Sequence, residues 1–157
     1  VSDFSDIASA LRTAMLTISG IGVVHAYQRW SNTWSDYLDL VDATVPADEV
    51  KFWMIRRERV SSEPDEMGGV QRTHAMVVAG AMALDDSANT YATFQDYIES
   101  VIETLGSKKD LGLAAVIDYG VGPCSARTIA EEMVGDVLCH VTEIEVPVVT
   151  SEAVVYS

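Results

Sequence analysis

The chain has 157 residues, 48% of them hydrophobic and 22% charged, with a formal net charge of −14, which fits a single globular domain with its own core. Twenty-four Asp and Glu against ten Lys and Arg argue against a basic footprint for nucleic acid and against docking on an anionic membrane. Two cysteines, Cys124 and Cys139, are too few for a disulfide framework and read as free thiols in a reducing compartment.

The N-terminal stretch VSDFSDIASALR is acidic and amphipathic and does not read as a signal peptide. No apolar run reaches the roughly 18–20 residues that cross a bilayer. Phe4, Ile7, Leu11, Met15 and Ile18 recur at spacings of three and four and predict an amphipathic helix over 3–18. Ser2 or Asp3 caps it, and Gly20 and Gly22 end it. A strand follows from Val23 to Arg29. Trp30 and Trp34 then flank a polar turn, a helical turn covers Ser35 to Val41, and Pro46 marks a loop. VKFWMIRRE, Val50 to Glu58, is rich in β-formers and predicts a strand. Ser61 to Gly69 reads as a mobile polar loop or an excursion between two strands.

Val70 to Ala83 predicts the next strand. One face is small (Ala75, Val77, Ala79, Ala81) and the other carries His74, Met76, Val78 and Met82, so the small face is the expected seat of a helix. Asp85, Asp86 or Ser87 caps the longest helix, Ser87 to Leu105, with Tyr91, Phe94, Ile98, Val101 and Leu105 as its apolar stripe. A strand is expected at Leu113 to Tyr119, a short helix in SARTIAEEMVG from Ser125, and a last strand at Val137 to Val148, with Pro147 placing its end at an edge. Strands bracketed by two long helices predict an α+β fold: a mainly antiparallel sheet with both helices on one face, in one domain over 1–157.

Cys139 and His140 stand side by side, with Glu143 three residues on. On a strand, neighbours point to opposite faces, so Cys139 cannot use His140 as its base. Cys139 then reads as a small buried hydrophobe. His25, His74 and His140 show no ligand spacing with the cysteines, and no metal or cofactor is expected. Asp85 and Asp86 suit a helix cap better than an acid–base pair. Neither a phosphate loop nor a nucleophile elbow is present. Glu143 and Glu145 share a strand face and are expected to meet Arg56, Arg57 or Arg59 across strands or across a subunit boundary. Trp30, Trp34 and Trp53 suit an interface, with a satellite core as the other reading.

Taken in order, GIGVVHAYQRW, FWMIRRE, ALDDSA, FQDYIESVIETL and VLCHVTEIEV resemble the tail terminator-like proteins of long-tailed bacteriophages and prophages. The matching positions are Gly22, Val24, His25, Tyr27, Arg29 and Trp30; Trp53, Ile55, Arg57 and Glu58; Leu84, Asp85 and Asp86; and Leu138, Cys139, His140 and Glu143. The resemblance runs from about Ile7 to Val146 and departs at 116–135 and at a tail over 149–157. It implies a non-enzymatic virion protein at the head–tail junction, assembled in the host cytoplasm. Such proteins form a hexameric ring that caps the tail tube, ends its growth and meets the head-side neck, while DNA passes through without specific binding. The expected partners are other copies of the chain, the tail tube protein and a head-closure or adaptor protein, with no membrane. Trp30, Trp34, Trp53, Arg56, Arg57, Glu143 and Glu145 are then candidate interface residues. Asp48, Glu49, Glu63, Asp65 and Glu66 are candidates for the lumen or a tube-facing loop, with Ser61 to Gly69 ordering on the tube. The competing readings are another neck connector (a head-closure or tail-completion protein), a cysteine-dependent enzyme, and a host binding module.

Overall fold

The computed structural model describes residues 3–27, 50–64, 66, 68–107, 111, 116–134 and 137–152. Helix α1 spans Asp3–Met15, β1 Val23–His25, β2 Lys51–Pro64 and β3 Val70–Ala83. Helix α2 spans Thr90–Gly106, β4 Val116–Val121, β5 Ser125–Val134 and β6 Val137–Glu152. The six strands form one sheet in the order β1-β2-β3-β6-β4, with β5 also pairing with β6. Only the β1–β2 pairing is parallel. The fold is therefore α+β with a mainly antiparallel sheet, as the pattern of elements predicts.

Both helices lie on one face. Ile7, Leu11 and Met15 of α1 and Phe94, Ile98, Val101 and Leu105 of α2 share a core with Trp53, Ile55, Met76, Val78, Ile144, Val146 and Val148. The helices thus sit on the large-residue side of β3, not on its small side as expected. Apolar side chains of matching size on α1 and α2 fill that side. They bury more area there than alanines offer.

Trp53 explains why one residue on the helix side of β3 is glycine. Gly80 is its partner across the β2–β3 pair, and a Cβ on Gly80 would lie 2.3 Å from the Trp53 ring. The indole N–H donates to the Ile21 carbonyl at 2.9 Å. Its ring stacks on Phe94 at 5.9 Å, and Phe94 stacks on His140 at 5.7 Å. One aromatic column thus joins β2, α2 and β6.

Several boundaries differ from the sequence reading: β1 ends at His25 and not at Arg29, α2 begins at Thr90 and not at Ser87, and β4 runs to Val121 and not to Tyr119. α1 stops at Met15, where the chain turns towards Gly20 and Gly22, both with positive φ. Of the segment expected as a loop or an excursion between two strands, Ser61 to Pro64 is strand, and Pro64 pairs with Val70, which extends the β2–β3 hairpin. SARTIAEEMV is strand β5, not a helix. It pairs with β6 from Ser125 opposite Glu145 to Val134 opposite Val137. β6 continues past Val148 to Glu152, with Val70 opposite Glu152, so the first residues expected in a tail belong to the sheet.

Pro147 lies inside the sheet and not at a terminal edge. Its carbonyl accepts from Gly122 N–H at 2.9 Å, where the flank of β6 changes from β5 to β4. The missing proline N–H therefore falls at a break in that ladder. At the other end of the sheet, α2 is capped not by Asp85, Asp86 or Ser87 but by Asn89, whose side chain accepts from Ala92 N–H at 3.4 Å. Asp85 caps the 3-10 turn Asp86–Ala88 that precedes it. The Asp85 carboxylate accepts from Ser87 N–H at 3.1 Å, Ser87 Oγ at 2.7 Å and Ala88 N–H at 3.4 Å. These bonds, the Ser87 hydroxyl first, hold its pKa below the usual value. Asp85 is thus a cap, but of the turn before α2 and not of α2 itself, because the chain makes one 3-10 turn before the helix begins at Thr90.

Candidate functional site

The adjacent reactive pair separates as strand geometry requires. Cys139 is buried with Val50, Phe52, Met54, Ala81 and Ala83 on the side opposite α1 and α2. Burial pushes its thiol up to about 11, and Cys124 likewise. His140 points to the helix side. Its Nε2 lies 2.9 Å from Thr90 Oγ1, its Nδ1 lies 3.6 Å from Glu131, and Tyr91 meets its ring edge-on at 6.1 Å. His74 is also buried on that side, with Nε2 2.9 Å from Thr150 Oγ1. Among the described residues, no three His, Cys, Asp or Glu side chains group as metal ligands.

The side opposite α1 and α2 carries a different feature. Ala75, Val77 and Ala79 of β3 form a low floor, and long charged side chains from the flanking strands meet above it. Arg56 of β2 reaches across β3 to Glu143 of β6 at 3.1 Å. Arg127 of β5 reaches further, across both β6 and β3, to Glu58 of β2 at 2.6 and 3.1 Å. On the way it also bonds Glu143 and lies 3.2 Å from Glu145.

In a flat sheet, three strand spacings come to about 14 Å. A direct two-bond contact between β2 and β5 therefore draws on the reach of both side chains, extended towards each other over β3 and β6. Two bulges aim the pair. Arg57 and Arg59 pair with neighbouring residues of β3, leaving Glu58 extra. Ala126 and Thr128 likewise pair with neighbouring residues of β6, leaving Arg127 extra. A bulge re-aims its extra side chain and bends its strand, and here both bulged residues turn to each other.

The electrostatics follow the geometry. Arg127 holds the Glu58 carboxyl below its usual value. Arg127 and then Arg56 do the same for Glu143. Glu58 first, then Glu143 and Glu145, raise Arg127 above its already high value. A groove of about 580 Å³ lies beside the pair, lined by Arg59, Thr73, Pro123, Ser125 and Pro147 among others.

Of the residues singled out in the sequence, the structure brings Arg56, Glu143 and Glu145 into this network, within one chain. Arg57 points to the helix side, 5.6 Å from the Phe4 ring. Trp53 is 1% exposed, so it belongs to the core and is not an interface residue. Glu63 and Glu66 are exposed at the β2–β3 hairpin. Trp30, Trp34, Asp48, Glu49 and Asp65 lie outside the described residues. Arg127 was missed because its segment reads as a helix. The one clue is the Gly135–Asp136 pair between two β-rich runs, a hairpin signal.

No helix among the described residues is long and apolar enough to cross a membrane. No protein-family model matches the chain, and no curated protein matches it. Among solved structures, the chain is similar to one from the virion of native gene transfer agent (GTA) particle. The two share 14% identity with a TM-score of 0.48, over 90% of this chain and 94% of that chain. A likeness of that size does not bear on function.

Proposed function

We propose that the chain is a structural protein of a phage-like virion. In this reading it acts as a tail terminator at the head–tail junction, as a ring that caps the tail tube, ends its polymerisation and offers the surface that meets the neck. The observation that carries this reading is the disposition of the sheet. The helices seal one face, a charged network spans the other, and the two lateral strands face outwards. β2 beyond Met54 and the whole of β5 have no strand on their outer sides among the described residues. A domain with two open lateral strands is shaped as a unit of a larger assembly.

The side chains of reactive type are used for the fold. Cys139 fills a core with its thiol pushed up to about 11, where little nucleophilic thiolate exists at neutral pH. His140 is engaged by Thr90 and the aromatic column. A non-enzymatic role fits these placements. The formal charge of −14 suits a ring through which DNA passes without being gripped.

The test is electron microscopy of the particle that contains this chain, classified on the head–tail junction. A six-fold ring of the protein between tube and neck is the expected result. Density beside the portal instead would make it a different neck connector. Absence from the particle would remove the virion reading altogether.

A further inference from the structure

The two open lateral strands differ in charge. The exposed half of β2 carries Arg56, Arg57 and Arg59 against Glu58 and Glu63, and β5 carries Glu131 and Glu132 against Arg127. Glu58 and Arg127 are paired with each other inside the copy, which leaves β2 the more basic strand and β5 the more acidic. They sit at opposite ends of the β2-β3-β6-β5 run, and each pairing in that run is antiparallel. β2 and β5 therefore run in opposite directions, so β5 of one copy can meet β2 of the next and continue the alternation.

We propose that copies of this chain join head to tail by antiparallel pairing of β5 in one copy with Ile55–Pro64 of β2 in the next. The inference deepens the ring reading above and rests on it for closure. Two different edges of one molecule make a heterologous contact, and such contacts close into a ring or run on as a filament.

The side chains select one register. Arg57 and Glu131 both point to the helix side, against Phe4 and His140 respectively. Arg56 and Glu132 both point to the side opposite α1 and α2, where they line one groove with Glu143. Val60 stands opposite His74 and Ile129 opposite Thr142 within each copy, which places both on the helix side. Both are exposed, at 43% and 46%.

Placing Arg57 opposite Glu131 puts Arg56 opposite Glu132. From Arg57 to Val60 is three residues, while from Glu131 to Ile129 is only two. The bulge at Glu58 supplies the difference, so Val60 then falls opposite Ile129. Two opposite-charge pairs and one apolar pair thus match face for face, the combination that stabilises neighbouring strands. The same bulge that aims Glu58 at Arg127 inside a copy sets the register between copies.

The test uses full-length chain carrying Val60→Cys and Ile129→Cys, assembled and treated with a mild oxidant. The expected result is a ladder of covalent multimers on a denaturing gel. Shifting one cysteine to the other face, as Ser61→Cys with Ile129→Cys, should abolish it. Arg57→Glu should lose the ladder, and Arg57→Glu with Glu131→Arg should restore it. Mixing two chains that each carry one of the added cysteines beside the native Cys124 and Cys139, each with a wild-type melting curve, should give dimers through the added pair and nothing larger.

Rings seen by electron microscopy with no Val60–Ile129 cross-link would overturn the strand pairing and leave the ring reading in place. Cross-linked filaments with no ring in any particle would keep the pairing and remove the ring. Neither rings nor cross-links would remove both, and would mean that the charges only shield the edges.

Discussion

Gly80→Ala is the sharpest probe of the core. The added Cβ would lie 2.3 Å from two atoms of the Trp53 ring, where ordinary carbon contacts begin at about 3.5 Å. The ring must therefore retreat by roughly 1 Å or β3 must bulge away. Neither movement is easy. The indole N–H is fixed to the Ile21 carbonyl at 2.9 Å. Phe94 backs the ring at 5.9 Å and is itself stacked on His140. Gly80 pairs with Trp53 on one side and Thr142 on the other, so a shift of its backbone strains two ladders.

Overpacking a tight core costs about 1–3 kcal/mol, and the blocked retreat places this case near the upper end. For a domain of this size each kcal/mol is worth about 2–4 °C, so a fall in Tm of roughly 6–12 °C is expected. Urea unfolding followed by circular dichroism gives the free energy directly. Gly106→Ala is the control, because a Cβ there meets nothing within 4 Å, and it should leave stability nearly unchanged. Trp53→Phe should cost stability alone yet relieve part of the Gly80→Ala penalty, a positive coupling in a double-mutant cycle. A Gly80→Ala loss below about 1 kcal/mol, or strictly additive mutations, would refute the account of the column.

The charged network gives a pH-dependent prediction. Glu58 and Glu143 have folded pKa values below their ordinary value, so their contribution is present in full above about pH 4.3, the unfolded value. It is lost as pH falls through the lower folded values. The Tm difference between wild type and Arg127→Ala should thus be constant from neutral pH down to about 5 and vanish in stronger acid. It should also shrink with added salt; a difference that grows on acidification would contradict the ion-pair assignment. For the cysteines, both thiols lie at about 11, so alkylation at pH 7.5 should be much slower in the folded protein than after unfolding in urea. Cys139 labelling at the rate of a free cysteine would place it outside the core.

How much of this was legible in the sequence depended on whether a segment meets one neighbour or several. The stripe Ile7, Leu11, Met15 and the stripe Phe94, Ile98, Val101, Leu105 each face one sheet surface, and their period showed it. The alternation of β3 was equally plain, yet what covers each side was misjudged. A small face admits a helix, but it equally admits long side chains from its flanks, and only the positions of α1 and α2 decide between them. In β5, Ala126, Ile129, Ala130 and Met133 keep a helical spacing. Pairing with β6 overrides that local preference, because the strand completes a hairpin whose connection is two residues long.

The Glu58–Arg127 contact was the least legible of all. It joins residues on outer strands, and each is aimed by a bulge that leaves no mark in the hydrophobic pattern. The low floor of Ala75, Val77 and Ala79 was the one trace of it in the sequence. Larger residues there would fill the space the arginine crosses. The smallness read as room for a helix is the clearance the charged span requires, and that span couples the two strands whose outer edges have no partner among the described residues.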